Sequence, residues 1–413
     1  MAQPRARRWH VVAALTMALS LPAAAAMATT TSGSPPPSAD RTWVGTWASS
    51  PQALSQTSFD DQTLRLIVHT SLGGGALRIR LANTFGTGPL TLGPVDVAVD
   101  PQGGPAVDQA TVQQVTFFGS PTVTVAQGAV ALSDAVGLPV RADEDLAVSI
   151  YVPSPSGPAT GHADARQVSY VAPGDHASDP GGSAYTAMTG SWYWLNGVDV
   201  TAAPYVRGSL VAFGDSITDG YASTIGANRR WPDDLARRLQ TGPPGRQLGV
   251  LDEGIDGNEV LLFRSCCGTS EPALARLDRD VLAQTGVRGV LEMLGTNDIG
   301  ADNAAAGPLI AGLRQMVDQV HAAGLPIIGG TIPPDEGCIF GCYSPEKEQV
   351  REAVNAWIRD SGVFDSVVDF DKALRDPADP HRLLPTYDSG DHLHPNDLGY
   401  QVMADTIDLK ALP

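Results

Sequence analysis

The sequence predicts two folded units, an all-β sandwich of jelly-roll type over residues 43–204 and an α/β unit with a parallel sheet over residues 205–413. Three observations carry this. The first stretch alternates apolar and polar residues at period two, and the second alternates short apolar runs with helical segments. A chain of 413 residues also exceeds one ordinary core.

The first residues have the layout of an export signal: Arg5, Arg7 and Arg8, an apolar run from Val11 to Leu21, then small residues ending in Ala26-Met27-Ala28. Cleavage is expected after Ala28, which makes residues 1–28 a signal peptide and the protein an extracellular one. Arg7-Arg8-Trp9 also permits a twin-arginine route, and an uncleaved anchor is the alternative, against which stands the shortness of the apolar run. Residues 29–42, rich in Thr, Ser and Pro and including Pro35-Pro36-Pro37, read as an extended leader that cannot bury a core.

In the β-rich stretch, Leu77, Ile79 and Leu81 alternate with Arg78 and Arg80, and Leu146, Val148 and Ile150 alternate with Ala147 and Ser149. Such alternation gives strands with one buried face. Further strands are expected over 63–69, 111–117 and 121–125, separated by turn clusters such as Gly73-Gly74-Gly75. Residues 154–190 read as loop. Trp192 and Trp194 stand at alternate positions, where they either pack or stack on sugar rings.

From about residue 207 the parallel strands are expected at 209–213, 249–253, 287–294, 326–331 and 366–369. Between them Leu309, Ile310, Leu313, Met316, Val317 and Val320 lie three and four residues apart, the spacing of one apolar helix face.

The bulk composition excludes several function classes. With 43% hydrophobic and 17% charged residues, and no interior apolar run of about 18 residues, the mature chain reads as globular with no membrane span. A formal charge of −18 opposes binding to nucleic acid or anionic membranes, which need clustered Lys and Arg. Four cysteines in an exported chain imply disulfides. Cys266 and Cys267 are adjacent and not expected to join each other; at least one is expected to pair with Cys338 or Cys342, with a Cys338–Cys342 loop as the competing arrangement. Their spacing fits no zinc pattern.

The chemistry concentrates in four short blocks. The strand at 209–213 runs into Gly214-Asp215-Ser216-Ile217-Thr218-Asp219-Gly220, a turn that would expose a serine at the carboxyl end of the first parallel strand, where open α/β sheets place ligands. A serine hydroxyl needs a base within hydrogen-bond reach, commonly a histidine oriented by a carboxylate. Asp391-His392-Leu393-His394-Pro395 supplies both on one loop. The turns Gly254-Ile255-Asp256-Gly257-Asn258 and Leu294-Gly295-Thr296-Asn297-Asp298 can supply donors to a developing oxyanion: the Ser216 N–H, the Gly257 N–H and the Asn297 amide.

These blocks, in this order, resemble the SGNH/GDSL hydrolases from about residue 209 to the C-terminus, with Ile217 where the family name expects Leu. The resemblance implies a flavodoxin-like three-layer α/β/α fold and a secreted carboxylic ester hydrolase. Within it Ser216 is the nucleophile, Asp391 the orienting carboxylate and His394 the general base, while Ser216, Gly257 and Asn297 form the oxyanion hole. His392 would line the pocket. The opening Trp43-Val44-Gly45-Thr46-Trp47-Ala48 and the β-rich stretch also resemble a branch linked to aryl ester and acylated polysaccharide breakdown, so the expected partner is an ester of short acyl, aryl or polysaccharide type. No cofactor and no metal is expected: Asp215, Asp219 and Asp298 lack the regular oxygen-ligand loop of a calcium site. The rival readings are a carbohydrate-binding protein with an inert hydrolase unit and an acyltransferase using the same triad.

Overall fold

The strand Gly208–Gly214 is buried along its whole length and apolar except for Ser209, as befits an interior strand of a parallel sheet covered on both faces. Leu248–Gly254 lies on one side of it and Val287–Met293 on the other, followed outward by Ile327–Gly330 and Ser366–Val368, all parallel. The structure, a computed structural model, describes residues 42–242, 245–264 and 269–413. The expected signal peptide and nearly all of the leader lie outside these, as do Cys266 and Cys267.

Helices cover both faces of this sheet. On one, Leu309, Leu313, Met316, Val317 and Val320 of the helix Ala306–Ala322 pack with Val211, Phe213 and Val290, the apolar stripe read from the sequence. On the other, the helices Trp231–Gln240 and Asp397–Thr406 bring Trp231, Leu235, Tyr400 and Met403 against Leu210, Ala212 and Leu291.

The β-rich stretch forms a four-stranded and a six-stranded sheet, with a small three-stranded one beside them. Leu64, Leu66 and Val68 of Gln62–Thr70 and Leu146, Val148 and Ile150 of Glu144–Val152 share one core with Leu77, Ile79 and Leu81 of the other sheet. This is the packing of a β-sandwich. Trp192 and Trp194 lie inside that core, Trp192 edge-on to Trp47 at 4.9 Å and Trp194 edge-on to Phe59 at 5.6 Å, so they pack and offer no face to a sugar.

Residues 154–190 depart from expectation. They hold the strands Ala159–His162, Ser169–Pro173 and Ala187–Thr189, the second of them paired with Gln62–Thr70. Strands of three to five residues between Gly, Pro and Asp turns give no readable alternation, and partners far along the chain stabilise them.

Arg41–Pro413 is one compact unit. The Trp43–Ala48 strand lies against the parallel sheet at Leu248–Gly254, where a Cβ on Gly249 would come within 2.2 Å of the Gly45 carbonyl oxygen. Glycine is required there because two backbones touch. Ser71 Oγ accepts from the Val250 N–H at 2.9 Å across the same seam.

Candidate active site

Three strand ends and one late loop build the site. The strand Gly208–Gly214 ends at Asp215, whose carboxylate accepts from the Ile217 N–H at 3.0 Å and caps the four-residue helix Ser216–Asp219. This turn sets the buried Ser216 at the carboxyl edge of the sheet. Burial pushes the Asp215 carboxyl up to about 7.

The late loop folds on its own aspartate. Asp391 Oδ1 accepts from the N–H groups of Leu393 and His394 at 2.9 and 2.8 Å, and Oδ2 meets His394 Nδ1 at 2.7 Å. The three-residue offset therefore fixes the ring of the same loop. His394 Nε2 then lies 2.9 Å from Ser216 Oγ, bringing together residues 178 positions apart. Partial burial acts to raise the Asp391 carboxyl, but the His394 ring and the two N–H groups outweigh it and hold it well below the usual carboxylate range.

Ser216, Gly257, Asn297 and His394 line one pocket of about 290 Å³. Gly257 has φ of +73°, a conformation that suits glycine and keeps the loop beside Ser216 free of a side chain. Asn297 stands in the first turn of the short helix Thr296–Gly300, and its amide donates to the Asn258 carbonyl at 3.1 Å. That tie spends one amide proton; the other contact, to Asp215 Oδ2, is long at 3.5 Å. Asp298 binds the neighbouring turn more firmly, accepting from the Val260 and Leu261 N–H groups.

His392 does not line this pocket. Its φ is +60° and its exposed ring turns to Asp388, with Nδ1 2.5 Å from the carboxylate. The left-handed backbone at His392 turns its side chain away from the direction of His394, so the loop aims only His394 at Ser216. The disulfide also differs from the favoured expectation: it joins Cys338 to Cys342, the competing arrangement, and leaves neither for Cys266 or Cys267. The turn 338–341 closes with the Gly341 N–H on the Cys338 carbonyl and brings the two Cα atoms to 5.9 Å, inside bridging range. Asp215, Asp219 and Asp298 are each hydrogen-bonded to a different protein group: the Ile217 N–H, His162 Nε2 and the Val260 N–H.

Several neighbours had no signal in the sequence. Tyr221 lays its ring 4.4 Å from that of His394, and Phe340, in the disulfide-closed turn, stands edge-on to it at 6.1 Å. The same turn donates the Ile339 N–H to the Asp391 carbonyl. Arg276, fully buried, donates to the Gly214 carbonyl at 2.9 Å, the Glu253 carbonyl at 2.9 Å and Asn258 Oδ1 at 3.0 Å, clamping the ends of two strands and the Gly257 turn. A lone arginine or aromatic has no spacing by which to be recognised.

Residues 212–402 match the family model of the GDSL-like lipase/acylhydrolase family. Among similar solved structures, a GDSL-like lipase from Bacteroides thetaiotaomicron is 20% identical, with 49% of this chain and 87% of that one covered and a TM-score of 0.39. A lipase/acylhydrolase from Enterococcus faecalis is 21% identical, covering 48% and 92% at a TM-score of 0.37. The aryl esterase of M. smegmatis is 17% identical, covering 48% and 94% at 0.39. No curated protein matches the chain. Over residues 212–402, the chain carries a domain of the GDSL-like lipase/acylhydrolase family.

Proposed function

We propose that this protein is an exported serine esterase that hydrolyses carboxylic esters of short acyl or aryl type through an acyl-enzyme on Ser216. The observation that carries the reading is the line Ser216 Oγ, His394, Asp391, with contacts of 2.9 and 2.7 Å, opening on a pocket that Gly257 and Asn297 share. Export rests on the arginines and apolar run of residues 1–28.

In this mechanism His394 Nε2 takes the Ser216 proton as Oγ bonds to the ester carbonyl carbon. The carbonyl oxygen becomes an oxyanion facing the Ser216 and Gly257 N–H groups and the Asn297 amide. Collapse breaks the bond to the alcohol oxygen, which leaves with the proton from His394. Water then gives a proton to His394 and attacks the acyl carbon, and Ser216 departs with that proton, freeing the acid. Asp391 stays ionised and keeps the proton of neutral His394 on Nδ1. Every step uses groups of this chain.

The pocket volume supports small acyl groups, since about 290 Å³ lies at the lower end of ligand-sized cavities. Hydrolysis of p-nitrophenyl acetate, butyrate and palmitate tests this. Acetate and butyrate should be the better substrates by kcat/KM, with free acid as product even when a sugar or alcohol is added. Preference for palmitate would overturn the short-acyl reading, and acyl transfer to the added acceptor would overturn hydrolysis.

The oxyanion role has its own test. Asn297→Ala should lower kcat by about 100-fold, the scale of one lost oxyanion donor, with KM nearly unchanged. An effect on KM alone would make Asn297 a ground-state binding residue.

A further inference from the structure

Behind the Ser216 turn lies a buried ion pair whose histidine comes from the β-rich stretch. His162, at the end of the strand Ala159–His162, is buried, and so is its partner Asp219, the last residue of the helix that Ser216 begins. His162 Nδ1 is 3.1 Å from the Ser50 carbonyl oxygen, and Nε2 is 2.9 Å from Asp219 Oδ1. A carbonyl oxygen only accepts, so Nδ1 carries a proton, and Nε2 carries the other toward the carboxylate. Burial acts to lower the imidazolium, but the charge and hydrogen bond of Asp219, aided by Ser50, push it up to about 9.

The other oxygen of Asp219 points toward the chemistry. Oδ2 accepts from the Asp256 N–H at 3.2 Å, and Asp256 immediately precedes Gly257. One carboxylate thus joins the helix that starts at Ser216 to the turn that offers the Gly257 N–H, and His162 fixes its orientation from behind. Ser50 strengthens the same base: its Oγ accepts from Arg276 Nη1 at 2.8 Å, and Arg276 in turn holds the Gly214 and Glu253 carbonyls and Asn258. Ser50 and His162 both belong to the β-rich stretch, so that stretch supplies part of the frame on which nucleophile and oxyanion donor are set.

We propose that His162 is a positioning residue for ester hydrolysis, acting through Asp219 to fix the Gly257 turn relative to Ser216. It touches no substrate, so losing it should change how well the oxyanion is met and leave ground-state binding almost intact. A misplacement of the order of an ångström at such a donor costs about 10- to 100-fold in rate.

This inference rests on the proposed serine-esterase reading, and its test separates the two. Full-length wild type, Ser216→Ala, His162→Ala and His162→Gln are compared on p-nitrophenyl acetate, with kcat expressed per site titrated by a fluorophosphonate where Ser216 is present. That normalisation removes any loss of folded protein. The expected result is a kcat about 10- to 100-fold lower for His162→Ala with KM within about twofold. His162→Gln, which can still donate to Asp219, should regain most of the loss. Asp219→Asn, isosteric but uncharged, carries the same test if His162→Ala does not accumulate, with kcat lowered about 10-fold at constant KM. A kcat within twofold of wild type in His162→Ala or Asp219→Asn, with Ser216→Ala inactive, overturns the positioning role alone. Hydrolysis that survives Ser216→Ala overturns the serine-esterase reading itself.

Discussion

Replacing Ser216 by alanine should lower kcat on p-nitrophenyl acetate by about 10⁴-fold or more, the scale seen when a triad serine is removed and only oxyanion donors and binding remain. The fold should survive. Among the described residues the Ser216 hydroxyl makes one side-chain hydrogen bond, to His394 Nε2, whereas the local turn is held by backbone: the Ser216 carbonyl accepts from the Gly220 and Tyr221 N–H groups, both at 2.9 Å. Circular dichroism and thermal unfolding should therefore match wild type to within a few degrees, the scale of about 1 kcal/mol. A folded variant with substantial turnover would move the nucleophile elsewhere in the pocket.

Asp391→Asn is the second large effect. The substitution keeps the shape and lets an oxygen go on accepting from the Leu393 and His394 N–H groups, so the loop should stay in place. What changes is the atom facing His394 Nδ1, now an amide that donates. Nδ1 must then accept, its proton moves to Nε2, and Nε2 can no longer take the Ser216 proton. The expected loss in kcat is about 10⁴-fold with little change in KM. Stability should respond with a definite sign. A carboxyl held below its usual range stabilises the folded state above the unfolded pKa of about 3.9 and loses that contribution as the pH falls through the folded value. The variant should therefore melt lower than wild type at pH 7, with the gap closing in strong acid. An equal gap at every pH would assign the difference to packing.

The residues most legible in the sequence are those whose function is local. Gly214-Asp215-Ser216 and Asp391-His392-Leu393-His394 each complete their geometry within a few residues, so spacing alone conveys it. The strands at 209–213 and 249–253 were equally plain, because each carries a short apolar run, Leu210 to Phe213 and Val250-Leu251, just before one of the Gly-containing turns of the site. His162 and Arg276 were not legible. Each acquires its role from partners far along the chain, His162 from Asp219 57 positions away and Arg276 from Gly214 62 positions away, and neither has a local pattern to reveal it. His162 was further hidden within a Gly- and Pro-rich stretch that reads as loop but holds three short strands. The disulfide was misjudged for a similar reason. Counting cysteines favours bridging distant pairs, while a tight turn had already brought Cys338 and Cys342 within reach.

The disulfide-closed turn also shows how the pocket acquires walls outside the four blocks. It sets Phe340 edge-on to the His394 ring, and Tyr221, just after the Ser216 turn, lies against the same ring.

The measurement that bears most directly on the central claim is the location of the covalent intermediate. The full-length protein is reacted with p-nitrophenyl acetate and acid-quenched within milliseconds, and separately with a fluorophosphonate, and each sample is mapped by peptide mass spectrometry. One acetyl or phosphonyl group on Ser216, formed far more slowly in a His394→Ala variant, is the predicted result. A group on another residue, or full-rate turnover in protein whose Ser216 is never acylated, would contradict it.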